Sequence, residues 1–159
     1  MLRVQVICVG KLKEAYWRDA CAEYTRRLSP LCRFTIVELP ESRLPDDPSD
    51  GEIRRALEKE GEKILEAAGN AVLFPLCIEG GQVDSPGLAR LLEETAVSGS
   101  GDVAFVIGSS FGLAPEVKAR GRKRLSMSKM TFPHQLARVM LCEQIYRAFQ
   151  ILRNTRYHK

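Results

Sequence analysis

The sequence predicts an α/β protein: a mostly parallel sheet flanked by helices. Short runs rich in β-branched residues alternate with stretches of helical period along the whole chain. The first run, Leu2 to Val9, is apolar on both parities, as a strand covered on two faces must be. No linker, internal repeat or low-complexity tract breaks the alternation, so residues 1–159 read as one domain.

Taken in order, Leu2–Val9 is the first strand and Lys11–Leu28 the first helix, with Tyr16, Trp17, Ala20 and Tyr24 at helical spacing. Tyr16 and Trp17 have the chemistry to stack on bases, but core aromatics are the simpler account. Phe34–Leu39 is a second strand. Pro40–Asp50, with three prolines and many charges, is an exposed loop, and its Arg43 reads more simply as solvated than as an RNA contact. Ser49-Asp50-Gly51-Glu52 fits a capping box, and the helix it opens runs to Gly69. Ala71–Ile78 is a third strand, expected to end or bend at Pro75, which has no N–H for a ladder. Ser85-Pro86 is expected to cap the next helix, through Leu88, Leu91 and Leu92, and Ser98–Asp102 is a turn. Val103–Ile107 is a fourth strand, Ala114–Gly121 a short helix, and a segment near Leu125 a fifth strand.

The last helix, Pro133–Arg153, is apolar on two arcs of a 100° wheel. Leu136, Met140, Leu141, Ile145, Ala148, Ile151 and Leu152 form one; Val139, Cys142, Tyr146 and Phe149 form the other. Pro133 suits a first turn, and Thr131 is the expected N-cap. A helix apolar on two faces is buried on both. A chain of 159 residues has few layers to cover a terminal helix twice, so the second face is expected to meet another copy in a homodimer.

Composition narrows the function. Hydrophobic residues at 45% and charged residues at 28% are those of a soluble globular protein. No apolar run is long enough to cross a bilayer, and the N-terminus leads directly into a strand, so no membrane association is expected. Five scattered cysteines without C-x-x-C suit buried thiols in a reducing cytoplasm, and with only two histidines no metal site is expected. The net charge of +4 is unevenly spread. Residues 120–159 hold ten Lys and Arg against the single acid Glu143, whereas residues 1–119 hold 14 against 19. Basic residues near helix C-termini complement dipoles, but this surplus exceeds that need and points to a nucleic acid.

Ligands of such sheets gather at the carboxyl ends of strands. Three ends stand out: Pro75-Leu76-Cys77, Ile107-Gly108-Ser109 and Met127–Phe132. Gly108-Ser109-Ser110-Phe111-Gly112 fits neither G-x-G-x-x-G nor G-x-x-x-x-G-K-[ST]. No catalytic triad, zinc-protease motif or paired carboxylates appear. A backbone-lined pocket beside a basic C-terminus suits transfer of a group from a bound cofactor to RNA.

Val106-Ile107-Gly108 through Gly112-Leu113, Leu125-Ser126 with Ser128 through Val139, Glu143 through Phe149 and terminal Tyr157-His158-Lys159 closely resemble the RlmH family. So do Val9 through Lys13 and Ala22-Glu23-Tyr24, and the likeness spans the chain. These are ribosomal RNA large-subunit methyltransferases of the SPOUT superfamily, which methylate N3 of a pseudouridine. The resemblance implies a C-terminal trefoil knot, a homodimer, S-adenosyl-L-methionine as methyl donor and the assembled ribosome as substrate. Carried over residue by residue, it implies a cofactor site of Leu76, Gly108, Met127, Ser128, Lys129, Met130, Thr131 and Phe132. His158 is the candidate base, because imidazole ordinarily titrates near neutral pH, and Tyr157 the residue that orients the nucleobase. Arg138, Arg153, Arg156 and Lys159 are the expected phosphate contacts. His134 is expected to be structural. The chain departs from the family where I-G-G becomes Ile107-Gly108-Ser109. A missing glycine at positive φ would leave Ser109 strained by roughly 1–2 kcal/mol. The rival readings are a non-catalytic RNA-binding module with a vestigial pocket, a SPOUT methyltransferase acting on another RNA, and a phosphate-binding enzyme of small molecules.

Overall fold

A computed structural model describes all 159 residues. The strands are β1 (Arg3–Val9), β2 (Arg33–Leu39), β3 (Val72–Gly81) and β4 (Asp102–Ile107); the helices are α1 (Ala15–Leu28), α2 (Asp50–Ala68), α3 (Ser85–Val97), α4 (Pro115–Arg120) and α5 (His134–Leu152). All strand pairs are parallel, in the order β2-β1-β4-β3. Every strand therefore ends at the same edge of the sheet. Val4 sits opposite both Phe34 and Val103, so β1 and β4 are the central strands.

Side-chain alternation builds two cores. Val4, Val6 and Cys8 of β1 join Val103, Phe105 and Ile107 of β4 under α3 and the buried residues Leu141, Cys142 and Ile145 of α5. Ile7 and Val9 join Ala104 and Val106 on the other face, under Ile64 and Ala68 of α2 and Val117 of α4. The reading of β1 as apolar on both parities is thereby met. α2 and α4 approach closely because Gly61 faces Ala114; a Cβ at Gly61 would lie 3.1 Å from that methyl.

The capping box forms as read: Ser49 Oγ accepts from the Glu52 amide while the Glu52 carboxylate accepts from the Ser49 amide, both at 3.1 Å. Gly69 closes α2 at φ +55°. Other boundaries differ. Residues 11–14 stay outside α1, with the Leu12 and Lys13 carbonyls accepting from Arg18 at 3.0 and 2.6 Å. Tyr16 is 64% exposed, edge-on to Trp17, and is no core aromatic. The N-cap of α3 is Asp84, which accepts from the Gly87 amide at 2.7 Å; Ser85 is instead the first helical residue. Thr131 does not cap α5, whose N-cap is Pro133 without a side-chain bond. β3 runs on past Pro75, but its ladder with β4 stops there. An edge strand tolerates that proline. The expected fifth strand shrinks to Leu125, bridged to Leu76 and Gly81. The segment around it lies along β3: Arg122 donates to the Leu73 carbonyl at 2.8 Å and Gly81 to that of Arg124 at 3.0 Å. No helix is long and apolar enough to cross a membrane, and no cluster of His, Cys, Asp or Glu could hold a metal ion.

Candidate functional site

The carboxyl ends of β3 and β4 open onto a cavity of about 360 Å³. Its first wall is the end of β3, from Leu76 to Glu79; the second is the loop from Ile107 to Leu113; the third runs from Ser126 to the first turn of α5. These are the three strand-end segments singled out in the sequence, and the fold brings them together. Of the eight residues expected around a cofactor, Leu76, Gly108, Met127, Ser128, Met130, Thr131 and Phe132 line the cavity. Lys129 does not, although its neighbours on both sides do.

The second wall is shaped by close backbone packing. Gly112, at φ +91°, folds back so that its amide donates to the Ser109 carbonyl at 2.9 Å. A Cβ on Gly108 would lie 2.3 Å from the Gly112 carbonyl oxygen, so only glycine fits. Ser109 is buried, and its φ is not positive. The departure from I-G-G thus carries no left-handed strain. In the third wall, Ser128 Oγ accepts from the Met130 amide at 3.0 Å, and Ser126 Oγ donates to the Ser128 carbonyl at 3.0 Å. Both hydroxyls hold the loop's shape.

Several lining residues escaped the sequence reading. Lys118 of α4 and Glu79 of β3 pair at 2.5 Å beside the cavity. The Lys118 ammonium donates to Glu79 and holds that carboxyl below its ordinary range. Burial pushes the Cys77 thiol up, so it is no ready nucleophile. His134, expected to be packed, is exposed on the rim at the start of α5. Three large apolar side chains also stand out to solvent around the cavity: Ile78 at 74%, Phe111 at 47% and Met130 at 72%.

Half of the lining is hydrophobic and the remainder is rich in loop backbone and small hydroxyls. Such a lining suits an uncharged heterocycle and ribose, recognised by main-chain donors and acceptors with apolar cover. No anion-binding glycine motif or metal-ligand set is part of it.

The C-terminal tail lies elsewhere. Tyr157 packs edge-on against Tyr146, with centroids 4.9 Å apart, and the Arg147 guanidinium sits 4.8 Å from its ring. His158 Nδ1 is 3.2 Å from Arg147 Nη1. A guanidinium only donates, so in a hydrogen bond at this distance Nδ1 is the acceptor. Arg147 lies 13 residues beyond the start of α5, roughly 20 Å along its axis from the rim residue His134. The expected catalytic pair therefore does not enter the cavity of its own chain. Arg153, Arg156 and Lys159 are exposed beside it. Arg138 is not: it is 5% exposed, pairs with Glu38 at 2.5 Å and donates to the Gly10 carbonyl at 3.1 Å. Its expected role as a phosphate contact is corrected on that ground, because its guanidinium is committed inside the fold.

Comparison with known proteins agrees with this geometry. The family described as predicted SPOUT methyltransferases matches residues 2–158. The ribosomal RNA large subunit methyltransferase H of Exiguobacterium sibiricum is 48% identical over 159 residues, which is 99% of this chain and 100% of that protein. Among solved structures, a probable methyltransferase from Bordetella pertussis Tohama I shares the fold at a TM-score of 0.59 with 18% identity, over 93% of this chain and 96% of its own. The tRNA (m1G37) methyltransferase of Aquifex aeolicus does so at 0.53 with 11% identity, over 92% and 69%. With a family model spanning nearly the whole chain and a full-length relative at that identity, the chain belongs to the RlmH family of SPOUT methyltransferases.

Proposed function

We propose that this protein is an S-adenosyl-L-methionine-dependent methyltransferase that methylates N3 of a pseudouridine in large-subunit ribosomal RNA, acting on the assembled ribosome. The observation that carries the reading is the convergence of three distant segments, bearing seven of the eight family cofactor positions, on one half-apolar cavity. The full-length likeness to a ribosomal RNA large subunit methyltransferase supports the substrate class. A trefoil knot formed by the C-terminal segments, as in the family pattern, is part of the same proposal.

The bound sulfonium donor would supply an electrophilic methyl group. Gly108 and the loop it packs against would give the nucleoside part main-chain partners, and Leu76, Met127 and Phe132 would give it apolar cover. The enzyme works mainly by holding the reacting atoms in line. Transfer to N3 would break the methyl–sulfur bond, leaving the donor as a neutral thioether, and the N3 proton would pass to a base. A ring nitrogen of His158 would accept that proton once the tail leaves its resting contact with Arg147. Tyr157 orients the nucleobase, while Arg153, Arg156 and Lys159 bind flanking phosphates.

The tail rests beside Arg147, roughly 20 Å along α5 from the rim residue His134, and a second copy would bring a tail to the site. The half-exposed Leu136, Val139 and Met140 of α5, with Ile78, Phe111 and Met130, supply an apolar face for such a two-fold mate. The deciding experiment is methyl transfer from labelled S-adenosylmethionine onto intact ribosomes, isolated large subunits and naked RNA, with nuclease mapping of the label. Label on a pseudouridine of the large-subunit RNA is the expected result; label elsewhere, or none, overturns the reading.

A further inference from the structure

A second, larger groove of about 520 Å³ lies between α2 and the loop that leaves β2. The loop is fixed in place: the Ser42 amide donates to buried Glu60 at 2.9 Å, and Ser42 Oγ donates to the Ala56 carbonyl at 3.3 Å. Four cations line it: Arg43 from the loop, and Arg55, Lys59 and Lys63 from α2. All four are exposed, and none joins any of the six ion pairs of the chain. The acids that face the same space are Glu41 and Glu52, and Glu52 is held by the capping box.

The charges of α2 are sorted into rows. Arg55, Lys59 and Lys63 recur every four residues, and so do Glu58, Glu62 and Glu66. Each cation stands three residues before an acid, Arg55 before Glu58, Lys59 before Glu62 and Lys63 before Glu66, a spacing at which opposite charges can pair. The two rows stay separate, with no ion pair between them. The groove opens where β2 ends, at the sheet edge that also carries the methyl-transfer cavity. β2 and β4 are two strand spacings apart, about 10 Å across the sheet.

We propose that this groove is a docking track for the phosphate backbone of the RNA whose base enters the cavity, with Arg43, Arg55, Lys59 and Lys63 as its contacts. The inference rests on the methyltransferase reading above and adds a surface outside the C-terminal tail. Charge sums hide it, because it lies in the part of the chain where acids outnumber bases.

The test is the variant R55Q/K59Q/K63Q beside the unaltered protein. The cofactor heat in calorimetry and the thermal midpoint should stay unchanged, since these side chains touch neither core nor cavity. KM for intact ribosomes at about 0.1 M salt should rise at least roughly tenfold with little change in kcat, and the plot of log affinity against log salt should flatten by about 2–3 for three lost phosphate contacts. K59R/K63R should behave like the parent. A triple variant with the parent's KM and salt slope overturns the track, while methylation by the parent leaves the enzymatic reading standing. A parent that binds large-subunit RNA with a slope the variant flattens, yet transfers no methyl group, sinks the enzymatic reading alone. Saturation of the groove by inorganic phosphate, with no difference in RNA slope between variant and parent, makes it a free-anion site and also overturns the proposal.

Discussion

Arg138 of α5 reaches across to Glu38 at the end of β2, and the two side chains pair at 2.5 Å although 100 residues separate them. The partners are unequal: the Arg138 side chain is 6% exposed and that of Glu38 39%. Removing the carboxylate strands a buried cation whose Nε already lacks a partner. Glu38→Ala should therefore cost about 2–4 kcal/mol, and Arg138→Met less, about 1–2 kcal/mol, because a freed Glu38 can turn to water. Urea denaturation of both variants checks the order. Equal losses would mean that the cation finds water on its own.

Gly108→Ala places a methyl group against the Gly112 carbonyl, so the cavity's second wall must move. The expected result is a stability loss of about 1–3 kcal/mol and cofactor binding weaker by roughly tenfold or more. Calorimetry with S-adenosylmethionine at a temperature where the variant is folded reads the second effect directly. Gly99→Ala is a useful control for stability alone, since that glycine, at φ +91°, faces open space.

Mixing tests whether the site is shared between subunits. His158→Ala and Gly108→Ala should each be inactive alone, the first with normal cofactor binding. After subunit exchange, about half of the dimers carry one intact composite site, so about a quarter of the parental activity should return. No recovery would place tail and cavity in one chain. Leu136→Asp with Met140→Asp should dissociate the pair in sedimentation and abolish transfer together with it.

Acid should weaken an ion-pair cluster within α1. Arg26 and Arg27 donate to Glu23, at 2.7 and 2.6 Å, and hold its carboxyl at about 2 against an ordinary 4.5. A carboxylate depressed in the folded state stabilises above its unfolded pKa, and that contribution fades as pH falls from about 4.5 toward 2. The pair is exposed, so the effect is small and screened by salt. Thermal midpoints of parent and Glu23→Gln should differ at pH 6 and converge near pH 2; a constant gap would assign the difference to something other than charge.

Much of the architecture was legible because local chemistry and global fold agree. The two-parity β1, the Ser49 box and Gly69 each specify one conformation and take it. Failures came where two local signals competed. Asp84 and Ser85 are both good caps, and Pro86 fits near the start of a helix begun by either. Thr131 is a good cap type, but Pro133 stands closer to the first turn. The motif residues of the cavity were legible through the family pattern. Lys118 with Glu79, and the α2 groove, were not, since both depend on segments far apart in sequence. Arg138 misled because a basic residue in a basic segment gives no sign of which way it faces.

The three walls of the cavity leave the ribosome in order, and the last of them, residues 126–137, belongs to the final quarter of the chain. A molecule cut short before residue 126 holds the residues of all four strands and still lacks the third wall. Capture of a small ligand there would report that the segment leading into α5 is in place.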